Sequence, residues 1–337
     1  MVFGLSNDTI AALVGLERAN GLTVEQPALP FGGFTGDKAL VRLTAPDGTV
    51  CKVILKRTSL SWANKEVNAY RALKAAGAPV VACYGMHVLD DDRAVVAVEY
   101  LPVASAWPIL PDTHLRWSEA LALLAKCRIP ASVTLPEIHY TPERDAILSG
   151  IEEALAFSDP ELQVALSPLD TIRFRDRVRA VLKGFLAAVD ALPRGLTHGE
   201  AYSMHVGRRT PDGPVLLFDV TSAAIRPRFF DVEALIVDHG EPYEIGDVTP
   251  VLRRFREVYE SNLSWDVFRC EVAMIEGLIA LRGIGQQAQL MRRGIEEAWQ
   301  NEREAHLGHV KWIRLSILKA DEALAEWERS VAGGPLV

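Results

Sequence analysis

The stretch that decides the fold is Leu196-Thr197-His198-Gly199-Glu200-Ala201-Tyr202-Ser203-Met204-His205-Val206, followed by Val215-Leu216-Leu217-Phe218-Asp219 and, twelve residues later, by Asp231. Pro211, Asp212, Gly213 and Pro214 make a turn before the apolar run, and Asp219 ends its apolar character. Residues 215–218 therefore read as a short buried strand with a carboxylate at its mouth. Glu200 and His205 lie on one loop feeding the same hairpin, so one loop and one strand end can converge on a single ion. Moving a γ-phosphoryl group needs a side chain that orients the attacking hydroxyl, and oxygen ligands that hold a hard cation against the phosphates. Carboxylates at two successive strand ends point to that chemistry.

The segment resembles the catalytic region of the aminoglycoside phosphotransferase and choline kinase-like family, small-molecule kinases with a protein-kinase-like fold. That family carries His-Gly-Asp, five residues to an Asn, then an apolar strand with Asp, and another Asp twelve residues on. His198, Gly199, Asp219 and Asp231 stand at the matching places, with Glu200 where Asp is usual and His205 where Asn is usual. Macrolide phosphotransferases of the family also place His there, and Glu variants of the triplet are familiar. The resemblance implies Glu200 as catalytic base, His198 beside it as a brace of the catalytic loop, His205 and Asp219 as the Mg²⁺ shell, and Asp231 as a structural brace. It implies an α+β, two-lobed fold: a small β-rich nucleotide-binding lobe over 1–102, with its hinge near 99–102, and a larger, mainly helical catalytic and substrate-binding lobe over 103–337. The expected activity is transfer from ATP (or GTP), assisted by Mg²⁺, to a hydroxyl of a small molecule. Two chemical differences frame the alternative. Glu carries its carboxylate roughly an angstrom beyond Asp, and imidazole prefers softer metals than Mg²⁺. The alternative is a kinase-fold protein that has lost transfer and binds a nucleotide or small molecule as a sensor or scaffold.

The amino-terminal third has parts that suit such a lobe. Phe31-Gly32-Gly33-Phe34-Thr35-Gly36-Asp37 lies between a strand expected over 22–29 and a clearer one over 39–43. Gly32, Gly33 and Gly36 let backbone amides approach phosphate oxygens, although an ordinary hairpin turn has the same composition. Ala45-Pro46-Asp47-Gly48 makes the next turn, and an apolar strand over 50–55 delivers Lys56, a residue that in kinases reaches the α- and β-phosphates. Ten residues on, Glu66 opens the periodic run Val67, Tyr70, Leu73, Ala76, an amphipathic helix ending at Gly77 and Pro79. Glu66 is placed to pair with Lys56. Residues 94–98 form a further strand leading into Glu99-Tyr100-Leu101-Pro102, which the family uses as a hinge whose backbone, at residues such as Glu99 and Leu101, contacts the adenine. An interdomain linker has the same sequence character.

Composition agrees without choosing the reaction. The chain of 337 residues suits two domains or lobes, and 49% hydrophobic with 24% charged residues is ordinary for a globular protein. A net charge of −8 argues against a nucleic-acid partner, which requires a basic surface. Cys51, Cys83, Cys127 and Cys270 are scattered without a Cys-x-x-Cys pair, which suggests neither a zinc site nor disulfides and fits a cytoplasmic location. Asn7 or Asp8 can cap a helix through Leu16, interrupting any secretory core, and no run approaches the roughly 20 apolar residues of a membrane span.

Beyond the hinge the spacing predicts helices over 117–125, 146–157, 173–192, 251–259, 267–281, 291–300 and 310–329. The helix over 173–192 carries the stripe Val178, Val181, Leu182, Phe185, Leu186 and Val189 and is expected to pack beneath the catalytic loop. An acceptor pocket near the catalytic loop and late helices could draw on Asp238, Glu241, Glu244, Asp247, Glu271 and Glu276, or on Trp265, Trp299 and Trp312, although most such residues face water or core. Arg226 and Arg228 could touch an anionic acceptor or clamp a loop. His198, Glu200 and His205 lack the helical His-Glu-x-x-His spacing of a zinc hydrolase, and Ser203 lacks a Gly-x-Ser-x-Gly elbow.

Overall fold

Ala45-Pro46-Asp47-Gly48 closes a tight connection: Ala45 N–H reaches Thr49 O at 2.8 Å, Asp47 Oδ1 accepts Thr49 N–H at 2.8 Å, and Gly48 takes φ +84°. The runs on either side pair as the central hairpin of an antiparallel sheet. In the computed structural model, which describes residues 2–16, 21–25, 38–104, 111–128, 134–236, 247–297 and 302–332, this sheet comprises β1 (Gly21–Glu25), β2 (Lys38–Thr44), β3 (Val50–Ser59), β4 (Cys83–Val88) and β5 (Arg93–Glu99). Their order is β1-β2-β3-β5-β4. On one face Val41, Leu43, Val53, Leu55, Val95 and Ala97 pack with Val2, Leu5 and Ile10 around α1 (Asn7–Leu13). On the other, Ala94 and Val96 meet Ala63 and Val67 of α2 (Leu60–Ala75). Each fully buried aliphatic side chain stabilises by about 1.5–3 kcal/mol relative to exposure, so alternation along β3 fastens the sheet from both sides.

Several boundaries differ from the sequence expectation. Ser6, not Asn7 or Asp8, caps α1, and that helix stops at Leu13. β3 does not end before Lys56 but runs through it to Ser59, whose side chain accepts Trp62 N–H at 3.3 Å and starts α2 six residues ahead of Glu66. Glu66 therefore lies inside the helix, within the buried stripe Ala63, Glu66, Val67, Tyr70, Leu73, where a carboxylate masks the start of the pattern. The strand expected over 22–29 is seen as far as Glu25; residues 26–29 and the glycine-rich loop with Gly32, Gly33 and Gly36 lie outside the described residues.

The remaining strands are short: β6 (Val103–Ala104), β7 (Arg194–Thr197), β8 (Val206–Arg208), β9 (Leu216–Leu217) and β10 (Ala224–Pro227). β6, β8 and β9 form a three-stranded sheet, and β7 pairs with β10. The helices are α3 (Pro111–Lys126), α4 (Arg144–Ala156), α5 (Pro160–Leu166), α6 (Thr171–Asp190), α7 (Glu233–Ile236), α8 (Thr249–Glu260), α9 (Trp265–Glu297) and α10 (Glu302–Ala332). The chain divides into two compact units. The first contains Met1–Pro136, Leu196–Ala224 and Asp247–Tyr259, and the second Glu137–Gly195, Ile225–Gly246 and Glu260–Val337. The segment from His198 to Asp219 thus shares a unit with the amino-terminal sheet. Among the described residues, no helix is long and apolar enough to cross a membrane.

In the second unit α9 and α10 pack along each other, and the stripe of α6 lies against α4, α9 and α10. The two helices expected over 267–281 and 291–300 are one helix of 33 residues through Glu297. Its internal glycines do not break it, because Gly285 serves a close crossing: a Cβ on Gly150 of α4 would stand 2.9 Å from Gly285 Cα. Gly308 of α10 has nothing within 4 Å of such an atom. Gly150→Ala should therefore destabilise by roughly 1–3 kcal/mol through forced separation of two backbones, whereas Gly308→Ala should stabilise by up to about 1 kcal/mol through helix propensity. Thermal midpoints of the two variants check the pair; equal and same-signed shifts would contradict the packing.

Candidate active site

Lys56 sits in the middle of the central strand with its side chain on the α2 face. Its Nζ lies 3.2 Å from Glu66 Oε2 and 3.1 Å from Asp219 Oδ1. Lys56 is 9% exposed and Glu66 2%. Burial opposes the charge on Lys56, but Glu66 and Asp219 outweigh it and raise the ammonium's pKa. Burial likewise disfavours ionised Asp219, and Lys56 and His205 reverse the balance, so its carboxyl is held below the usual range. Glu66 shifts the other way: burial pushes it up and Lys56 only partly compensates. Asp219 accepts a hydrogen bond from the ammonium, and Glu66 Oε2 neutralises it at 3.2 Å.

The loop after β7 is wired through its backbone. Gly199 takes φ +86°, a conformation that suits glycine, and turns the chain so that Glu200 N–H reaches His198 Nδ1 at 3.3 Å. Because His198 Nδ1 accepts, Nε2 carries the hydrogen and donates to Phe218 O at 2.9 Å. His198 thus joins the residue before Asp219 to the backbone of Glu200. His205 Nδ1 contacts Glu200 O at 2.7 Å. A carbonyl only accepts, so Nδ1 carries the proton, and in the neutral ring Nε2 keeps a lone pair. That Nε2 lies 4.0 Å from Asp219 Oδ2, beyond hydrogen-bond reach. The Glu200 side chain is exposed.

His205 Nε2 and the Asp219 carboxylate make a donor set of one nitrogen and two oxygens. Among the described residues no three His, Cys, Asp or Glu side chains form a closed metal cage. Mg²⁺ is usually held through one or two carboxylates with the remaining positions left to phosphates and water, so the open Asp219 carboxylate suits that ion, and the imidazole of His205 beside it is the softer donor.

The other residues singled out from the sequence fall as follows. Glu99 accepts Ala82 N–H at 3.0 Å and takes a two-pronged ion pair from Arg209 at 2.5 and 2.9 Å; these contacts overcome burial and lower its pKa. The main-chain N–H groups of Glu99 and Tyr100 are engaged by Ala82 O and Lys52 O at 2.8 and 3.3 Å. Leu101 is 4% exposed, and its side chain packs on Gly207 of β8. Asp231 is buried in the one-turn helix Phe230–Val232 of the second unit. Arg228 grips Glu271 at 2.6 and 2.9 Å and lies 4.6 Å over the Phe229 ring, while Arg226 lies 5.0 Å over Phe230. Glu276 pairs with Lys319 at 3.4 Å, and Trp265 packs on Phe268. Asp238, Glu241, Glu244 and Trp299 lie outside the described residues.

Two residues at this site escaped the sequence reading. Lys38 stands directly across from Lys56 in the β2–β3 register; burial lowers its pKa, with Asp219 opposing and Lys56 adding to the effect. Tyr70 of α2, 2% exposed, accepts the Asp219 main-chain N–H at 3.0 Å. Asp219 takes φ +59° and ψ +54°, a left-handed conformation that costs a non-glycine residue roughly 1–2 kcal/mol. Register across a hairpin could have found Lys38; nothing in the linear spacing points Tyr70 at Asp219.

With this geometry in place, comparison with known proteins adds context. The profile of the phosphotransferase enzyme family matches residues 29–261. Solved structures of similar fold include a spectinomycin phosphotransferase crystallised with ADP and spectinomycin, at 12% identity and TM-score 0.60, covering 95% of this chain and 99% of that one. A choline/ethanolamine kinase family protein from Mesorhizobium loti gives 16%, 0.59 and 95% of each chain. A macrolide 2′-phosphotransferase from Brachybacterium faecium gives 17%, 0.53 and 89% of this chain with 96% of its own. No curated protein sequence matches. At these identities the structures share a protein-kinase-like fold with this chain.

His198 also sets a pH dependence. Burial, reinforced by His205, pulls its pKa from 6.5 down to about 4, against opposing help from Phe218 O, Asp219 and Glu200. The unfolded chain takes up this proton below about pH 6.5, whereas the folded chain resists it until about pH 4. The stability that depends on neutral His198 is therefore whole above pH 6.5 and lost as pH falls toward 4, a span of about 3 kcal/mol. His198→Gln should flatten the thermal midpoint against pH between 6.5 and 4 relative to wild type. Parallel curves would contradict the assignment.

Proposed function

The chain belongs to the phosphotransferase enzyme family, and on that premise we propose that it moves the γ-phosphoryl group of ATP or GTP to a hydroxyl of a small molecule. The observation that carries this reading is the meeting of Lys56, Glu66, Asp219 and the loop of His198, Glu200 and His205 within one compact unit. Lys56, steadied by Glu66, is left to bind the α- and β-phosphates when Asp219 turns to a metal. His205 Nε2 and Asp219 would hold Mg²⁺, which supplies charge neutralisation on the phosphate oxygens when bound. Glu200 orients the acceptor hydroxyl or takes its proton. His198 keeps the backbone of Glu200 and the residue before Asp219 at fixed separation, which matters because a misplacement of about an angstrom can cost 10²-fold. With the N–H groups of Glu99 and Tyr100 engaged, the Leu101 N–H is the hinge donor proposed for the base, and the boundary between the nucleotide-binding lobe (1–102) and the catalytic lobe (103–337) belongs to the same proposal. The brace role of Asp231, and phosphate contacts by Gly32, Gly33 and Gly36, are carried over from the family resemblance.

The class of acceptor is an alcohol-bearing small molecule, for which spectinomycin, macrolides, choline and ethanolamine are the first compounds to try. Asp219→Asn should lower acceptor-dependent ADP release by roughly 100-fold or more while leaving the fold intact, since it keeps shape and removes a charged ligand. Glu200→Gln should lower it by roughly 10²–10⁴-fold. Unimpaired turnover in the first variant overturns the metal assignment, and in the second the base. Nucleotide binding by the wild-type chain without transfer to any acceptor would favour the sensor or scaffold reading, in which Glu200 and His205 mark lost activity.

A further inference from the structure

We propose that Tyr70 is a positioning residue for the metal-binding carboxylate, an inference that rests on the phosphotransferase reading of the same site. Glu66 and Tyr70 stand one turn apart on the buried stripe of α2, the spacing that puts two side chains on one helix face. The first meets Lys56 at 3.2 Å and the second accepts the Asp219 main-chain N–H at 3.0 Å. One helix face therefore sets both the phosphate-binding lysine and the backbone of the metal-binding aspartate. Apart from Phe3, Asp219 is the only described non-glycine residue with positive φ. Its side chain makes no capping bond to the turn that follows, Val220–Ser222. What its conformation achieves is the direction of the carboxylate, with Oδ1 3.1 Å from Lys56 Nζ and Oδ2 facing His205 Nε2. The Tyr70 hydroxyl closes that arrangement from behind, at an N–H that no helix or strand ladder would otherwise satisfy. Because Tyr70 reaches the main chain of Asp219 and not its carboxylate, it leaves both carboxylate oxygens open toward the ion.

The test uses Tyr70→Phe, which keeps the ring and removes the acceptor. The thermal midpoint of wild type and variant is followed with ADP alone and then with added MgCl₂. The expected result is an unchanged rise with ADP alone, since Lys56 and Glu66 are intact, and an Mg²⁺ concentration for half the additional rise that is about tenfold higher in the variant. A fall in both responses together marks a general loosening of the core and overturns the inference. An Mg²⁺ response in the variant equal to wild type overturns the inference while leaving the phosphotransferase reading standing; absence of any response in wild type overturns that reading as well. Should the variant fail to fold, hydrogen exchange of the Asp219 amide in the wild-type chain decides: slow exchange supports the bond to Tyr70, and exchange at the rate of an exposed loop amide overturns it.

Discussion

A lysine ammonium buried between two carboxylates is the constraint on which the first unit depends. Lys56 comes from the central strand, Glu66 from the helix packed on that strand, and Asp219 from a segment more than 150 residues away in sequence. Lys56 and Glu66 are the deeply buried members, and removing one of that pair typically costs about 3–5 kcal/mol because the other's charge stays buried and under-compensated, whereas the Asp219 carboxylate keeps partial contact with solvent. The group therefore fastens the loop carrying Asp219 to the amino-terminal sheet. Lys38, across the hairpin from Lys56, adds a second amine within electrostatic reach of the same two carboxylates.

The backbone of the loop from His198 to His205 then follows from few bonds. His198 is neutral because it is buried, and neutrality lets one ring nitrogen donate to Phe218 O while the other accepts from Glu200 N–H. His205 is held from the other side, its Nδ1 donating to Glu200 O and its Nε2 turned toward Asp219 at 4.0 Å. The two imidazoles thus share one loop, His198 bracing it through both ring nitrogens and His205 bonded to it through Nδ1 alone. An Asn at the position of His205 would offer an oxygen, so the chain's departure from the usual family residue alters the donor's softness.

Much of this was legible in the sequence because it is local. The turn residues ahead of 215–218 with the carboxylate that ends that run, the Ala-Pro-Asp-Gly turn and the alternation of β3 each act within a few residues of themselves. Lys56, Glu66 and Asp219 could be picked out because charges interrupting apolar runs are conspicuous. What escaped depends on tertiary geometry. Tyr70 reads as one more member of an apolar stripe, since its hydroxyl shows no periodicity, and Glu66 disguised the true start of α2 by occupying a core position. The helix expected to stop at residue 281 runs on through Glu297, and within it Gly285 allows α4 to approach α9 closely. Glu271, taken as a possible pocket carboxylate, is the buried partner of Arg228. Acceptor selectivity was not legible because the residues that match the family's motifs are the ones the resemblance assigns to phosphate and metal.

The most direct measurement of the central claim is the thermal midpoint of the wild-type chain with ATP or GTP, each with and without Mg²⁺. A ligand that binds only the native state raises the midpoint according to its concentration over its dissociation constant. If Lys56 exchanges Asp219 for nucleotide phosphates and Asp219 turns to a metal, nucleotide raises the midpoint and Mg²⁺ adds to the rise. No shift at millimolar nucleotide, with or without Mg²⁺, would contradict the account.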